Sequence, residues 1–418
     1  MTDKLLLDFQ MIDWDFSKED SRTFLHGISW YPARFIPNIP AYLISSLSKE
    51  NQTVLDPFVG SGTTLVEALK RRRNAIGIDI NPISCYFSEV KCDLLMKGEK
   101  DKLLKVLKFH LHYINIMESF FLKNNYSTQI QIKDKLREKA SEIYHNIDSI
   151  NIPSSNISIL KKWFHPKTLR MLKAIHETIN LIDYKVAQNL CNILLLSILM
   201  PSSGHKTSRP YTYYADNLIP KNHIFKNSIA AYKLKLRSII NQLNSYTKEN
   251  DISPKDTNTF FKIYNADTRN LVQILQDQKI DLIVTSPPYC SVTDYVMAYR
   301  LFFLWNEGFG DPDRIKREEI GPRWRRKNKD QIKNYVKDMK KINQQLIDIL
   351  TPGGCLCLVF GGPKQREISC VDPIIEDLSE KNEITLLDKY QRNISKKFFI
   401  HPKGGGVDTE AIFIFQKR

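Results

Sequence analysis

Several things are missing from this sequence, and each absence excludes a class. The seven cysteines (Cys85, Cys92, Cys191, Cys290, Cys355, Cys357 and Cys370) form no CxxC pair and keep no zinc-type spacing to histidine. A zinc ribbon and a CxxC redox motif are therefore excluded, no metal site is expected, and the odd, scattered count suits reduced thiols in the cytoplasm. With 16 Gly and 19 Pro the chain is neither collagenous nor of low complexity. No apolar run is long enough to span a membrane; the longest, Leu190 to Met200, is interrupted by Asn192 and Ser197 and reads as a buried helix. The N-terminal MTDKLLLDFQMIDWDF carries acids where a signal peptide would carry lysines, and its apolar run breaks at Asp8.

What is present is enough to fold. The 418 residues are 42% hydrophobic and 11% aromatic, so disorder is not expected. Lys and Arg number 61 against 46 Asp and Glu, a net charge of +15 that favours a polyanionic partner, nucleic acid before membrane. Three textures divide the chain. Residues 1–92 contain strand, glycine turn, helix and strand (TVLDPF, VGSGTT, LVEALKRRR, NAIGIDI), a pattern that implies a parallel sheet. Residues 93–257 are rich in Lys, Leu, Ile, Asn and Ser at helical spacing, with helices expected near 100–123, 130–147, 166–180, 184–200 and 222–248. That stretch is too long for a loop and reads as an inserted helical domain with a possible role in target recognition. Residues 258–418 return to alternating strands and helices.

DPFVGSGTT (Asp56 to Thr64) lies between a β-branched strand and an amphipathic helix. Glycine there permits an unusual turn and lets a ligand approach the backbone closely. The following strand ends in Asp79 of GIDINP, where a carboxylate can accept hydrogen bonds from ribose hydroxyls. The loop lacks the third glycine of a dinucleotide fingerprint and the Lys-Ser/Thr of a P-loop, which disfavours NAD and ATP.

These segments resemble the S-adenosylmethionine loop of the DNA amino-methyltransferases, the cytosine-N4/adenine-N6 family. The resemblance extends to TSPPY (Thr285 to Tyr289) at the end of strand DLIV, which matches that family's catalytic tetrapeptide. HGISWYPARFIPNIP (His26 to Pro40) is similar to the segment beside the methionine part of the cofactor, and NADTRNL (Asn265 to Leu271) to the acidic turn near its adenine. The resemblance covers about residues 24–92 and 258–418. It implies an α/β, Rossmann-like methyltransferase fold, a mostly parallel mixed sheet flanked by helices, here with a large helical insertion. It also implies S-adenosyl-L-methionine as cofactor, with Arg34, Phe35, Pro37, Asp56, Phe58, Gly60, Gly62, Thr63, Asp79, Ile80 and Asp267 as its binding residues.

The tetrapeptide suits difficult chemistry. The lone pair of an exocyclic amino group is delocalised into the ring, so methylation needs acceptors that pull on its N–H bonds and free that pair. Ser286 Oγ and the Pro287 carbonyl are the candidate acceptors; Pro287 and Pro288 stiffen the turn and remove competing N–H groups. Tyr289 offers a face on which an extruded base can stack. In the family, Ser at the first position is commonest among cytosine-N4 enzymes, which selects cytosine N4 here over adenine N6. Cys290, directly after the turn, opens an alternative in which its thiolate attacks C6 and C5 is methylated. Asp294 and Tyr295 follow the turn, either closing over the base or cofactor or beginning a helix.

Two further segments suit nucleic acid. RIKREEIGPRWRRKNK (Arg314 to Lys329) interleaves basic residues with Trp324, so Arg323, Trp324, Arg325 and Arg326 are candidates for phosphate contact and stacking. SGHKTSRPYTYYADN (Ser203 to Asn217), with His205, Lys206, Arg209 and Tyr211, has the composition of a loop reading bases and phosphates. The function expected is a site-specific methyltransferase acting on double-stranded DNA, as the modification half of a restriction–modification system with a cognate endonuclease. The rival classes are an RNA methyltransferase and a non-catalytic nucleic-acid-binding protein.

Overall fold

The computed structural model describes residues 9–16, 24–28, 31–32, 36–122, 132–204, 224–245, 258–361, 370–394 and 409–418. Among these, seven strands form one sheet in the order β3-β2-β1-β4-β5-β7-β6. They are β1 (Thr53–Asp56), β2 (Asn74–Asp79), β3 (Phe261–Asn265), β4 (Ile280–Thr285), β5 (Leu350–Gly361), β6 (Ile384–Asn393) and β7 (Thr409–Lys417). β1 to β5 pair in parallel, whereas β7 is antiparallel to both β5 and β6. This is the Rossmann-like methyltransferase topology. The strand order reverses between β1 and β4, and ligands of open α/β sheets bind at the carboxyl ends of the strands beside such a reversal.

The central strands are apolar on both sides because both faces are covered. Along β5, Cys355, Cys357 and Val359 face one core cluster while Leu356, Leu358 and Phe360 face the other; Ile412 and Ile414 alternate with Phe413 and Phe415 along β7. Among the described residues the second face is covered by the helices Leu271–Leu275, Gln331–Ile349 and Asp372–Ser379.

The first face is deeper. Next to the sheet lie α1 (Asn38–Leu47), α2 (Thr63–Lys70) and α3 (Pro82–Lys97). Then come the helices between β2 and β3: α4 (Lys100–Leu122), α5 (Ile132–His145), α6 (Ile157–Trp163), α7 (Pro166–Asn180), α8 (Lys185–Ser202) and α9 (Ser228–Ser245). Leu190 to Met200 lies within α8, which packs against α3, and Leu190, Leu194 and Ile198 share one apolar cluster with Val54 of β1 and Leu282 of β4. The insertion is therefore a second layer on the catalytic sheet, joined to it by a continuous core. Among the described residues no helix is long and apolar enough to cross a membrane.

Candidate active site

Four chain segments leave the carboxyl ends of β1, β2, β3 and β4 and meet in one cleft. Asp56, Phe58, Gly60 and Thr63 come from the first, Asp79 and Ile80 from the second, Asp267 from the third, and Ser286 and Pro288 from the fourth. The parallel register brings residues more than two hundred positions apart in sequence into contact: β1 pairs with β4, and the Thr285 hydroxyl donates to Asp56 Oδ1 at 2.7 Å.

The glycine loop is shaped from beneath. The Gly60 amide donates to Asp79 Oδ2 at 3.0 Å, and the Asn81 amide donates to Asp79 Oδ1 at 2.8 Å, so one carboxylate ties the loop to the end of β2. Lys91, fully buried in α3, donates to the Ser61 carbonyl at 2.7 Å, and Ser88 Oγ donates to the Gly60 carbonyl at 3.1 Å. Gly62 has φ +80°, and a Cβ there would meet Ser88 Cα at 2.9 Å. The positive φ is the unusual turn expected of this glycine, and the missing Cβ lets α2 pack against α3; Gly62 itself is not among the residues lining the cleft.

The cleft is acidic, and burial opposes that charge. Burial raises Asp56 to about 6, against hydrogen bonds from the Thr285 and Thr64 side chains and the Phe58 amide. Asp79 is likewise raised to about 6 by burial, against the Asn81 and Gly60 amides and with the Asp56 charge adding to the rise. Asp267 is held by Arg269, whose Nη2 donates to Oδ2 at 2.6 Å.

Several residues lining the cleft were not foreseen from the sequence. Tyr31, Ser61, Asn81, Thr268, Glu318, Glu319 and Ile320 line the cleft, as does Tyr295, for which helix start and closure were both open. Asp294 is the N-cap of a one-turn helix, Tyr295–Ala298. Glu319 accepts from the Val296 amide at 2.9 Å and is raised to about 8, burial first and the Asp294 charge adding to it. It is thus largely protonated at neutral pH. The EEIG run in which it lies is joined to the tetrapeptide turn by the Ser291 amide, which donates to the Gly321 carbonyl at 2.8 Å. Nothing in local pattern marks that pairing; it depends on where the chain returns.

The remaining sequence candidates divide. Pro37 is buried at the N-cap of α1 and does not line the cleft, while Arg34 and Phe35 lie outside the described residues. Pro287 and Tyr289 are buried behind Ser286, with the Tyr289 hydroxyl donating to Glu410 Oε1 at 2.8 Å. Cys290 belongs to the apolar cluster on the second face and does not line the cleft. His205, Lys206, Arg209 and Tyr211 lie outside the described residues. The basic segment is docked beside the cleft: the Trp324 amide donates to Asp294 Oδ1 at 2.8 Å and the Arg323 amide to the Thr293 carbonyl at 3.3 Å. Trp324 is 41% exposed, with Lys316 Nζ 5.4 Å and the Arg325 guanidinium 4.7 Å from its ring centre. Arg325 also donates to the Arg317 carbonyl, and Arg326 is exposed.

With this geometry in place, the relatives can be compared. The DNA methylase (N6/N4 methyltransferase) family model matches residues 9–90, the span holding the glycine loop and Asp79. The Type II methyltransferase M.MjaII of Methanocaldococcus jannaschii is 24% identical over 92% of this chain and 80% of its own length. Over residues 9–90 the chain is similar to the N6/N4 DNA methylase family. M.MvaI of Kocuria varians is 21% identical over 66% of this chain but 55% of its own length. M.BglI of Bacillus subtilis is 48% identical over a stretch of 52 residues, 15% of its length. The similarity to methyltransferases implies S-adenosylmethionine as the methyl donor.

Whether these residues fit that cofactor is testable on the cleft itself. Ser61 Oγ and Asn81 Nδ2, both buried at its lining, have no hydrogen-bond partner among the described residues. Buried polar atoms left unpaired are costly, and a ligand rich in hydroxyl, amino and ring-nitrogen groups would satisfy them. The carboxyls of Asp56, Asp79 and Asp267 suit a cofactor carrying a sulfonium and an ammonium. The residues fit.

Proposed function

We propose that the protein is a Type II DNA methyltransferase that methylates the exocyclic amino group at cytosine N4 in double-stranded DNA. It would act in the cytoplasm as the modification half of a restriction–modification system, beside a cognate endonuclease. The observation that carries the reading is the convergence of the glycine loop after β1 and the Ser-Pro-Pro-Tyr turn after β4 on one cleft at the strand-order reversal.

Asp56, Phe58, Gly60, Thr63, Asp79, Ile80 and Asp267 would hold the cofactor, which supplies the methyl group when bound. Asp79 would receive the ribose hydroxyls on carboxylate lone pairs left by the Gly60 and Asn81 amides. A target base extruded from the duplex would present its amino group to Ser286 Oγ and the Pro287 carbonyl. Two acceptors on two N–H bonds favour a more tetrahedral nitrogen, and their fixed placement limits reorganisation in the transition state. Exposed cations around Trp324, beside the same cleft, suit the DNA backbone. The burial of Cys290 away from the cleft argues against attack on C6, so the amino-group reaction is preferred to C5 methylation.

Serine at the first tetrapeptide position favours N4, whereas the family model covers N6 and N4 enzymes alike. Nucleoside mass spectrometry of duplex DNA treated with enzyme and cofactor decides between them. N4-methylcytosine is the expected product; N6-methyladenine would move the target to adenine within the same mechanism. C5-methylcytosine would overturn the reading, as would activity confined to RNA or no binding of cofactor in calorimetric titration.

A further inference from the structure

Serine at the head of the tetrapeptide raises a question of hydrogen-bond direction. A hydroxyl is both donor and acceptor, whereas pulling on an amine N–H requires an acceptor. The Ser286 proton must therefore be held elsewhere while its lone pairs face the base.

A buried chain of groups does this. Ser286 Oγ lies 3.0 Å from the Tyr289 hydroxyl oxygen, that hydroxyl lies 2.8 Å from Glu410 Oε1, and Glu410 Oε2 lies 3.4 Å from Arg392 Nη1. Arg392 and Glu410 are direct partners in the antiparallel β6–β7 ladder, so the strand register holds them together. Both are buried, at 3% and 8% exposure. A guanidinium does not deprotonate in proteins, and a buried cation calls for a counter-ion. Burial leaves the Glu410 carboxyl raised, against the opposing pull of Arg392 and the Tyr289 hydroxyl; the Arg392 cation 3.4 Å away is what calls for its ionised form.

Direction then follows from the charged end. An ionised Glu410 only accepts, so Tyr289 must donate to it; the Tyr289 oxygen is then the acceptor for Ser286, and the Ser286 proton points away from the cleft. Of the four residues, only Ser286 lines the cleft.

We infer that Tyr289, Glu410 and Arg392 are positioning residues that fix the Ser286 hydroxyl as an acceptor toward the target amino group. This rests on the amino-methyltransfer reading above. It gives the antiparallel end of the sheet a part in the chemistry and gives the tetrapeptide tyrosine a task for its hydroxyl, separate from any stacking by its ring.

The test uses full-length enzyme, duplex DNA and labelled cofactor, with single-turnover methylation rate, cofactor dissociation constant and melting temperature measured for each variant. Tyr289→Phe keeps the ring and removes only the hydroxyl. Glu410→Gln keeps the side-chain shape, removes the charge and leaves the tetrapeptide intact. Each is expected to lower the rate by about ten- to a hundredfold, with the cofactor dissociation constant within about twofold of wild type. The double variant should be no more than about twofold slower than the slower single one, because both act through Ser286. A Tyr289→Phe rate within twofold of wild type overturns the inference, as do losses that multiply in the double variant, or rate losses matched by equal losses of cofactor binding. Wild-type enzyme run alongside separates the two claims. If it gives no amino-methylated nucleoside, the proposed function fails; if it gives that product and Tyr289→Phe keeps its rate, only the relay fails.

Discussion

The two walls of the cleft are built differently. The glycine-loop wall comes from one stretch, β1 through β2, and is held by backbone amides on carboxylates: Gly60 on Asp79, Phe58 on Asp56. The opposite wall gathers Ser286, Tyr295 and Glu319 from separate parts of the chain, and beside the Val296 amide on Glu319 it adds a chain of side-chain hydrogen bonds from Ser286 through Tyr289 to Glu410. A wall made of backbone tolerates change only where the conformation allows it. A wall made of side chains fails one function at a time.

Four substitutions would sharpen or break that contrast, in descending order of expected effect. Ser286→Ala, on the side-chain wall, should lower the methylation rate by about 10²–10³-fold, the loss typical of one transition-state hydrogen-bonding group, while cofactor affinity measured by calorimetry is unchanged. Gly62→Ala, on the backbone wall, should cost about 2–4 kcal/mol in urea unfolding, since a strained φ and a Cβ 2.9 Å from Ser88 Cα act together. Cofactor binding should fall with it; a stable variant with normal binding would erase the distinction between the walls.

The third test uses pH. Asp79, raised to about 6, is mostly protonated at pH 5 and mostly ionised at pH 7, and the cofactor's positive groups favour the ionised form. Cofactor affinity should therefore rise by roughly tenfold across that interval. Asp79→Asn should flatten the rise to the part carried by Asp56, as titration calorimetry at each pH would reveal. An effect of similar size is expected at Glu319, on stability instead of affinity. Its folded form keeps a proton up to about pH 8, whereas the unfolded chain sheds it near the ordinary glutamate value of 4.5. Folded protein then binds the extra proton between those limits, so this group makes stability fall as pH rises through the window. Glu319→Gln should remove that slope, leaving the variant about 1–3 kcal/mol more stable than wild type at pH 8; parallel urea curves at pH 5 and pH 8 for both proteins would contradict it.

The walls also differ in how readily they are read from sequence. Asp56, Gly60, Thr63 and Asp79 were legible because a strand, a glycine turn and the next strand occur in one short span. Ser286 was legible because Thr285 to Tyr289 resembles the catalytic tetrapeptide of the amino-methyltransferases. Helices α4, α5, α7 and α8 follow their hydrophobic period closely, and Pro166 at N1 marks the start of α7. The shorter α6 was not foreseen, having too few turns to show a period. Glu319, Tyr31 and the Arg392–Glu410 pair were not legible. Each looks like an ordinary charged or aromatic residue until the fold buries it against a distant partner.

Sequence alone carried the resemblance to the amino-methyltransferases: a glycine loop, a strand-end acid and Ser-Pro-Pro-Tyr, each a local device whose backbone demands are written in consecutive residues. It also determined the alternation of apolar positions that specifies a sheet buried on both faces. Tertiary structure alone decided that the insertion is a second layer sharing the sheet's core, that Cys290 faces away from the cleft, and that β6 and β7 bring a buried ion pair behind Tyr289. Those outcomes depend on strand order and register, which bring together residues with no local signal in common, and on burial, which changes the protonation and hydrogen-bond direction of groups that look ordinary in a list.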